Sequence, residues 1–232
     1  MIEIHLADNR LPLSKERWAQ LLNRLPSGQR ERILRFRRWQ DRQAALIARL
    51  MVGFSLRERG HPWRILETWT PGTHGKPRVT ADCQFNISHT EGLVICAVGG
   101  AEPVGIDCER VRALDLEDFR ALFAAEIWRE ISTSGEREAC FFDYWTRFES
   151  AVKADGRGLS LPFHALRFEA GWMEVQEPFC PPAPARRSWW IRPVAVGSGY
   201  RCHLASGAPE EPVTVRRFEL SGLPDEQPIA ES

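Results

Sequence analysis

The sequence predicts an α+β fold, because helical and strand-like stretches are mixed without the regular strand–helix–strand order of a doubly wound sheet. Residues 27–60 repeat apolar side chains at close to helical spacing. The stretches FNIS (85–88) and LVICAV (93–98) are short and apolar, which is typical of strands. A faint likeness between GLVICAVGG (92–100) and GYRCHLASG (199–207) further suggests two similar halves.

The first half, residues 1–103, is expected to contain two helical regions and several short strands. Ser14 precedes a periodic stretch that Pro26 closes, which is the pattern of an N-capped helix. The basic helical region that follows is expected to break near Trp39, with Asp41 capping its second part. The expected strands are IEIHLA (2–7), WRILETW (63–69), FNIS (85–88) and LVICAV (93–98).

The second half, residues 104–232, is expected to contain two helices, over about 115–133 and about 136–155, the second ended by Gly156. Its tail, over about 222–232, is expected to be disordered. The expected strands are VGIDCE (104–109), ALRFEA (165–170), WWIRPVAV (189–196), YRCHLAS (200–206) and VTVRRFEL (213–220).

The composition indicates a globular protein without a strong charge preference. The chain has 232 residues, 43% of them hydrophobic, which is enough to bury a core. Basic and acidic residues are equal at 31 each, so the net charge gives no overall attraction to nucleic acid or to an anionic membrane. No apolar run has the length of a membrane span, and the first residues lack the order of a signal peptide. We therefore expect a cytoplasmic protein with no nucleic-acid or membrane partner.

The six cysteines are scattered along the chain and have no paired spacing. A disulfide framework is usually denser and belongs to smaller secreted domains. We therefore expect mostly buried thiols and no zinc site.

Two acidic residues, Asp107 and Glu109, lie two positions apart in the expected strand VGIDCE. Residues i and i+2 of a strand point to the same side, about 6.6 Å apart. At an effective dielectric constant of about 20, two like charges at that distance repel by roughly 2.5 kcal/mol. A divalent cation such as Mg²⁺, which prefers carboxylate oxygens, would turn this repulsion into ligation. A solvated strand face would equally carry two acids, so the pair alone leaves both interpretations open.

The second expected helix places Trp145, Glu149 and Lys153 at four-residue steps, which puts them on one helical face. An acid and a lysine in such a row bordering an apolar stripe are compatible with a catalytic site. They are also compatible with an ordinary surface pair that contributes a few tenths of a kcal/mol. Neither segment decides between these alternatives by itself.

Four motifs in order resemble the 4′-phosphopantetheinyl transferases of the surfactin-synthetase-activating type. The resemblance covers at least residues 27–162 and implies a pseudodimer of two similar α+β halves, residues 1–103 and 104–232, with coenzyme A in the cleft between them. The motifs are GKP (75–77), FNISHT (85–90), VGIDCE (104–109) and WTRFESAVKADGRGL (145–159).

The resemblance also implies a role for each site residue. Asp107, Glu109 and Glu149 would ligate Mg²⁺, or Mn²⁺ in its place, and Glu149 would take the proton of the attacking serine. Lys153 would contact the diphosphate of coenzyme A. The remaining implied contacts to coenzyme A are Ser88 and His89 at the 3′-phosphate, Gly75, Lys76 and Pro77 at the adenine end, and Arg30 and Arg42 from the basic region.

The implied activity is Mg²⁺-dependent transfer of 4′-phosphopantetheine from coenzyme A to a serine of an apo acyl or peptidyl carrier protein, with release of adenosine 3′,5′-bisphosphate. Fatty-acid, polyketide and nonribosomal-peptide carriers all remain open, and a monomer is expected. Apolar residues of 115–133, among them Leu122, Phe123 and Trp128, are expected to contribute to carrier docking. Two alternatives stay open: a Mg²⁺-dependent phosphohydrolase acting on a coenzyme A-like diphosphate, and a non-catalytic module that binds coenzyme A or a carrier.

Two positions depart from the family pattern. Phe148 stands where the family commonly has a lysine, so one phosphate-contacting cation is missing or Arg147 or Arg157 replaces it. Gln29 stands at another position where a lysine is frequent. Because the three acids are unchanged, these departures bear on phosphate affinity. We also expect from the sequence that Asp107→Ala abolishes transfer and leaves the fold intact, since the change removes one of two repelling acids.

Overall fold

The computed structural model describes residues 1–72, 74–181 and 186–223. Within them the chain forms two compact units. The first unit comprises residues 1–72, 77–101 and the described chain from 212, and the second comprises 74–76 and 102–211. Both units mix helices and sheet, so the α+β class is confirmed.

The first unit is a four-stranded sheet, in the order β11-β1-β5-β4, with helices packed against it. Its strands are β1 (Ile2–Asn9), β4 (Phe85–Thr90), β5 (Gly92–Val98) and β11 (Val213–Arg217). Between β1 and β4 in the sequence, the two-residue strands β2 (Thr70–Pro71) and β3 (Pro77–Arg78) pair with each other. Its helices are α1 (Lys15–Leu22), α2 (Ser27–Leu34) and α3 (Trp39–Glu58), with 3₁₀ helices at Trp63–Thr68 and Leu220–Gly222.

The helix ends of the first unit follow the sequence signals closely. The Ser14 side chain accepts a hydrogen bond from the Arg17 N–H at 3.1 Å, which confirms it as the N-cap of α1. The expected break near Trp39 is also present, but α3 begins at Trp39 itself with Arg38 in the cap position, so Asp41 lies in the first turn. The buried face of α3 packs on β5 and β1, and this packing forms the first core.

The expected strand WRILETW is wrong, because Trp63–Thr68 is a 3₁₀ helix. Ile65 and Leu66 are adjacent in sequence and both buried. A strand would turn these two side chains to opposite faces of a sheet, whereas one helical turn directs both into the core.

The second unit is a five-stranded antiparallel sheet in the order β6-β10-β9-β8-β7. Helix α5 packs on β6 and β10, and α4 packs on α5. Gly156 ends α5 with φ 87°, as expected from the sequence. The structure also contains a strand, β8, that the sequence analysis does not predict. The elements are β6 (Gly105–Arg110), α4 (Ala125–Thr133), α5 (Arg137–Asp155), β7 (Leu166–Glu169), β8 (Trp172–Val175), β9 (Ser188–Pro193) and β10 (Tyr200–Ser206), with 3₁₀ helices at Leu116–Leu122, Gly158–Ser160 and Phe163–Ala165.

The last strand departs from the expected division at residue 103. β11 runs parallel to β1, with Ile2 opposite Val213, and therefore belongs to the first unit. Of the tail expected to be disordered, Gly222 ends the 3₁₀ helix Leu220–Gly222 and Leu223 is buried. The rest of that tail, 224–232, lies outside the described residues.

Two expectations about composition also have structural outcomes. All six cysteines are free thiols, and four of them are buried. Among the described helices, none combines the length and the apolar character that crossing a membrane requires.

Candidate active site

The candidate site begins at a close contact between β6 and α5. A Cβ atom built on Gly105 would lie 2.0 Å from the Ser150 carbonyl oxygen and 2.4 Å from the Ala154 nitrogen. Both distances are far below van der Waals contact, and both atoms belong to the backbone. Glycine at this position therefore allows β6 and α5 to approach closely enough for their polar side chains to meet.

Asp107 of β6 and Lys153 of α5 form an ion pair at this contact, with 2.6 Å between Nζ and Oδ1. Lys153 also donates to the Ile106 carbonyl oxygen at 3.3 Å. The Asp107 side chain is 6% exposed and that of Lys153 is 26% exposed. Burial alone would lower the pKa of Lys153, but the charge and hydrogen bond of Asp107, together with the charges of Glu149 and Glu109, outweigh it, and the pKa is raised. The lysine is therefore firmly cationic.

Glu149 lies one helical turn before Lys153 and is half-buried. Its pKa is raised, first by burial and then by the charges of Asp107 and Glu109, while Lys153 acts in the opposite direction. A carboxylate with a raised pKa accepts a proton more readily than an exposed one. Glu149 is accordingly suited to act as a general base.

Glu109, the third acid, is half-buried and pairs with Arg112, with 3.4 Å between Oε2 and Nη1. Although Asp107, Glu109 and Glu149 all lie in the described chain, their oxygens do not converge within 4.8 Å of one another. The donor set nevertheless fits Mg²⁺, because all three groups offer hard oxygen atoms. Their charges act on one another and on Lys153, and the three carboxylates outnumber the one ammonium of Lys153. The metal role of the three acids stays a prediction.

The ion pair changes the expectation for Asp107→Ala. That substitution would leave the partly buried Lys153 ammonium without its carboxylate, so we expect a loss of stability on the order of 2 kcal/mol. Asp107→Asn keeps an oxygen that accepts from Lys153 and should lose clearly less. Urea unfolding of both variants measures the difference. Equal midpoints for Ala and Asn would contradict a stabilising role of the pair.

Lys76 belongs to the second unit and reaches the same two elements. Its Nζ donates to the carbonyl oxygens of Val104 at 3.0 Å and of Ala154 at 3.4 Å. The ammonium therefore lies between the start of β6 and the end of α5, beside the acid-bearing elements. Its neighbour Pro77 begins β3 in the first unit.

The other predicted coenzyme A contacts lie in the first unit. On β4, Ser88 is 7% exposed and His89 is exposed. Arg30 on α2 and Arg42 on α3 are both half-buried, and Arg42 donates to the Arg37 carbonyl oxygen at 3.2 Å. The structure thus groups Asp107, Glu109, Glu149, Lys153 and Lys76 in one unit and Ser88, His89, Arg30, Arg42 and Pro77 in the other.

Phe148 is 2% exposed and packs against Phe123 and Phe163 in the second core. A lysine at this position would be buried among aromatic rings. The packing of the second core therefore explains why this chain has phenylalanine where the family commonly has lysine. The two arginines considered as replacements are both engaged elsewhere. Arg147 pairs with Asp143, and Arg157 pairs with Asp155 while donating to the Phe179 carbonyl oxygen.

Gln29, the other departure, is 5% exposed and accepts from Arg49 Nε at 2.8 Å. The guanidinium of Arg49 lies 5.0 Å from the centre of the Trp69 ring. Burial, with the charge of Arg32, lowers the pKa of Arg49 to about 10. Gln29 therefore orients a half-buried arginine.

No pattern in the sequence indicates the buried polar network behind the acids. His203 of β10 lies opposite Asp107 of β6, and its Nδ1 is 2.8 Å from Thr146 Oγ1. Because the Thr146 hydroxyl donates to the Phe142 carbonyl oxygen at 2.8 Å, its Oγ1 accepts a hydrogen bond from the His203 Nδ1–H. His203 Nε2 then lies 3.9 Å from Asp143 Oδ1. Burial lowers the pKa of His203 to about 4 against the opposing charge of Asp143.

His203 makes stability depend on pH below neutrality. Its folded pKa of about 4 lies below the ordinary 6.5, so the unfolded chain takes up a proton first as the pH falls. The contribution is complete above pH 6.5 and is lost toward pH 4, on the order of 2 kcal/mol. Urea midpoints measured across this window should fall more steeply for wild type than for His203→Asn, whose amide can still donate to Thr146. Equal slopes would contradict the prediction.

Two family models match the chain. The model described as the 4′-phosphopantetheinyl transferase superfamily matches residues 103–205. The model described as 4′-phosphopantetheinyl transferase, N-terminal, matches residues 12–100. The two ranges meet between β5 and β6.

Curated relatives carry the same name. The 4′-phosphopantetheinyl transferase Sfp of Bacillus subtilis strain 168 is 26% identical over 217 residues, which are 90% of this chain and 94% of that protein. The transferase gsp of Aneurinibacillus migulanus is 37% identical over 95 residues, 40% of each chain. The mouse L-aminoadipate-semialdehyde dehydrogenase-phosphopantetheinyl transferase is 28% identical over 177 residues, 67% of this chain and 56% of that protein.

The α+β units, the acid–lysine site and these matches together define an enzyme of the transferase class. More narrowly, the chain is a 4′-phosphopantetheinyl transferase that resembles the surfactin-synthetase-activating type.

Proposed function

We propose that the protein transfers 4′-phosphopantetheine from coenzyme A to a serine of an apo acyl or peptidyl carrier protein, with Mg²⁺, releasing adenosine 3′,5′-bisphosphate. The observation that carries the proposal is the contact of β6 with α5. There a buried aspartate, a cationic lysine and a glutamate of raised pKa lie together. The resemblance places the reacting groups of the family on the same residues.

In this proposal Glu149 removes the proton from the attacking serine hydroxyl. The serine oxygen forms a bond to the β-phosphorus of the diphosphate, and the bond from that phosphorus to the bridging oxygen breaks. The raised pKa of Glu149 supports this role, because a base works best when its pKa approaches the working pH. The proton ends on Glu149 before it passes to solvent.

Lys153 would offset the charge that develops on the diphosphate, and Lys76 is proposed, with Pro77, at the adenine end of coenzyme A. Lys153 is held in its cationic form by Asp107, and Lys76 is oriented by two carbonyl oxygens. Phosphoryl transfer depends mainly on positioning and on electrostatic stabilisation of the leaving group. Asp107, Glu109 and Glu149 would hold Mg²⁺, which supplies a Lewis acid and a template for the diphosphate.

The first unit would bind the far end of coenzyme A. Ser88, His89, Arg30 and Arg42 are proposed at the 3′-phosphate and Pro77 at the adenine. The pseudodimer of halves 1–103 and 104–232, with coenzyme A in its cleft, is part of the proposal and comes from the resemblance alone. A cytoplasmic monomer is likewise still a prediction.

Carrier docking is proposed for the segment 115–133, with a smaller set of residues than the sequence suggested. Phe123 and Trp128 are each 8% exposed and pack in the second core. Leu122 is 40% exposed and is available to an apolar partner. Because only part of the segment is exposed and the rest packs in the core, we expect the carrier to make a small apolar contact surrounded by polar contacts.

The direct test incubates the protein with coenzyme A, Mg²⁺ and a panel of apo fatty-acid, polyketide and nonribosomal-peptide carriers. Intact-mass measurement should show one carrier gaining a single phosphopantetheine. Consumption of coenzyme A without carrier modification would support a phosphohydrolase instead. No chemistry with any carrier, together with retained binding, would support a non-catalytic module. The panel also identifies which class of carrier is modified.

His89→Ala tests the proposed 3′-phosphate contact. Removing a hydrogen bond to a charged group should raise the KM for coenzyme A about tenfold or more and affect 3′-dephospho-coenzyme A much less. His89 is exposed, so the fold should be unaffected. The matched control is His164→Ala, an exposed histidine of the second unit. Equal losses on both substrates would remove His89 from the 3′-phosphate.

A further inference from the structure

A second group of ligand-type side chains lies in the first unit and includes none of the proposed active-site residues. Glu3, His5 and Glu58 each offer one oxygen or nitrogen, and these three atoms all lie within 4.8 Å of one another. No other such group is found among the described residues. The sequence gives no sign of it, because Glu58 is far from Glu3 and His5 along the chain.

The fold explains why these residues meet. Glu3 and His5 are two positions apart on β1 and therefore point to the same side of the strand. Glu58 is the last residue of α3, which packs on β1. The group thus joins the first strand of the sheet to the end of the helix that covers it.

Two of the three side chains are deeply buried and polar. His5 is 2% exposed and Glu3 is 8% exposed. Neither His5 Nε2 nor Glu3 Oε2 has a hydrogen-bond partner, and the two atoms are 4.0 Å apart. Leaving such groups buried without a hydrogen bond is unfavourable. Since both atoms belong to the group formed by Glu3, His5 and Glu58, one ion bound there would give each of them a partner.

The His5 ring is held in a defined orientation. Phe54 and Phe218 contact it edge-on, with ring centres 6.1 and 6.0 Å away. These aromatic contacts fix the imidazole while leaving Nε2 directed toward Glu3. A ligand oriented before the metal arrives loses little entropy on binding.

The neighbouring cations are compatible with a bound ion. Arg59 Nη2 lies 3.8 Å from Glu3 Oε2, which is too far for a hydrogen bond. Its guanidinium is held by the carbonyl oxygens of Gly99 and Val98 at 2.8 and 2.9 Å. Arg216 lies opposite His5 in the parallel pairing of β1 with β11. Two carboxylates balance a divalent charge, and Arg59 keeps its carbonyl partners whether or not an ion is present.

We propose that Glu3, His5 and Glu58 bind one divalent transition-metal ion of the zinc type. One imidazole nitrogen and two carboxylate oxygens form a ligand set that zinc accepts, whereas Mg²⁺ prefers oxygen alone. The exposed Glu58 leaves solvent access for a fourth, water ligand. The expectation of no zinc site rested on cysteine spacing, and this group contains no cysteine. The ion would tie β1 to the end of α3.

The test uses the full chain, freed of metal by chelation, and Zn²⁺ alone as the probe. Calorimetric titration of wild type should show a site that Glu58→Gln weakens at least about tenfold, since even outer-shell changes cost that much. Glu58 is exposed, so this variant should fold. Glu109→Gln is the matched control, because it removes an acid of the proposed active site and should leave this binding unchanged.

Thermal unfolding gives an independent readout. Zn²⁺ should raise the Tm of wild type and of Glu109→Gln, and it should raise the Tm of Glu58→Gln and His5→Gln far less. Absence of zinc binding, or equal binding by wild type and Glu58→Gln, would overturn the proposal. A shift abolished by Glu109→Gln and kept by Glu58→Gln would assign the ion to the acids of β6 and α5. The outcome does not depend on the transfer assay.

Discussion

Glu149→Gln is expected to lower the transfer rate by on the order of 10³-fold, because it removes the proposed proton acceptor. The same change should stabilise the folded protein at pH 8. The pKa of Glu149 is raised, first by burial and then by Asp107, so its charge is unfavourable in the folded state. Glutamine has the same shape without the charge. As the pH falls, wild type takes up the proton preferentially when folded and the difference in stability narrows.

Two measurements check this prediction. Single-turnover transfer to an apo carrier reports the rate, and urea unfolding at pH 8 and at lower pH reports the stability. The matched control is Glu174→Gln, an exposed glutamate of β8, which should change neither quantity. Near-native turnover of Glu149→Gln would remove the proposed base. A urea midpoint at pH 8 below that of wild type would contradict burial and the charge of Asp107 as the causes of the raised pKa of Glu149.

Gly105→Ala should disrupt the site without touching a single functional side chain. Its methyl group would lie 2.0 Å from the Ser150 carbonyl oxygen, so α5 would have to move away from β6. We expect a loss of stability of at least about 2 kcal/mol from overpacking. Since Lys153 and Glu149 move with α5 while Asp107 stays on β6, transfer should fall by on the order of 10²-fold even in the folded fraction.

Gly100→Ala is the control for this substitution. Gly100 lies shortly before β6, has nothing within 4 Å of a built Cβ, and should accept alanine with little effect. Denaturant unfolding and transfer rates under conditions where both variants are folded separate stability from activity. A Gly105→Ala protein with native stability and turnover would show that the β6–α5 contact does not position the site.

The sequence was informative wherever a feature depends on neighbouring residues. The strand that carries Asp107 and Glu109, the helix that carries Glu149 and Lys153, and the glycine that ends that helix all have local signals. What could not be predicted is the environment of Asp107. The sequence left open whether its face of β6 is solvated, and in the structure α5 covers that face through the contact at Gly105. That contact joins segments far apart in the chain, so no local pattern encodes it.

Two other outcomes have the same origin. The 3₁₀ helix Trp63–Thr68 has the composition of a strand, and only the joint burial of Ile65 and Leu66 shows otherwise. The network of His203 with Thr146 and Asp143 depends on β10 lying between β6 and β9 under α5. In each case tertiary packing overrides or adds to local preference.

The position of β11 in the sheet bears on how the chain is made. Residues 213–217 pair with β1, although the whole second unit separates the two strands along the sequence. Ribosomes add about 5–20 residues per second, so β1 remains unpaired with β11, its neighbour at the edge of the sheet, while the second unit is synthesised. During that interval β1 is an open edge able to pair with strands of other nascent chains. The portion translated first is therefore the one that completes its sheet last.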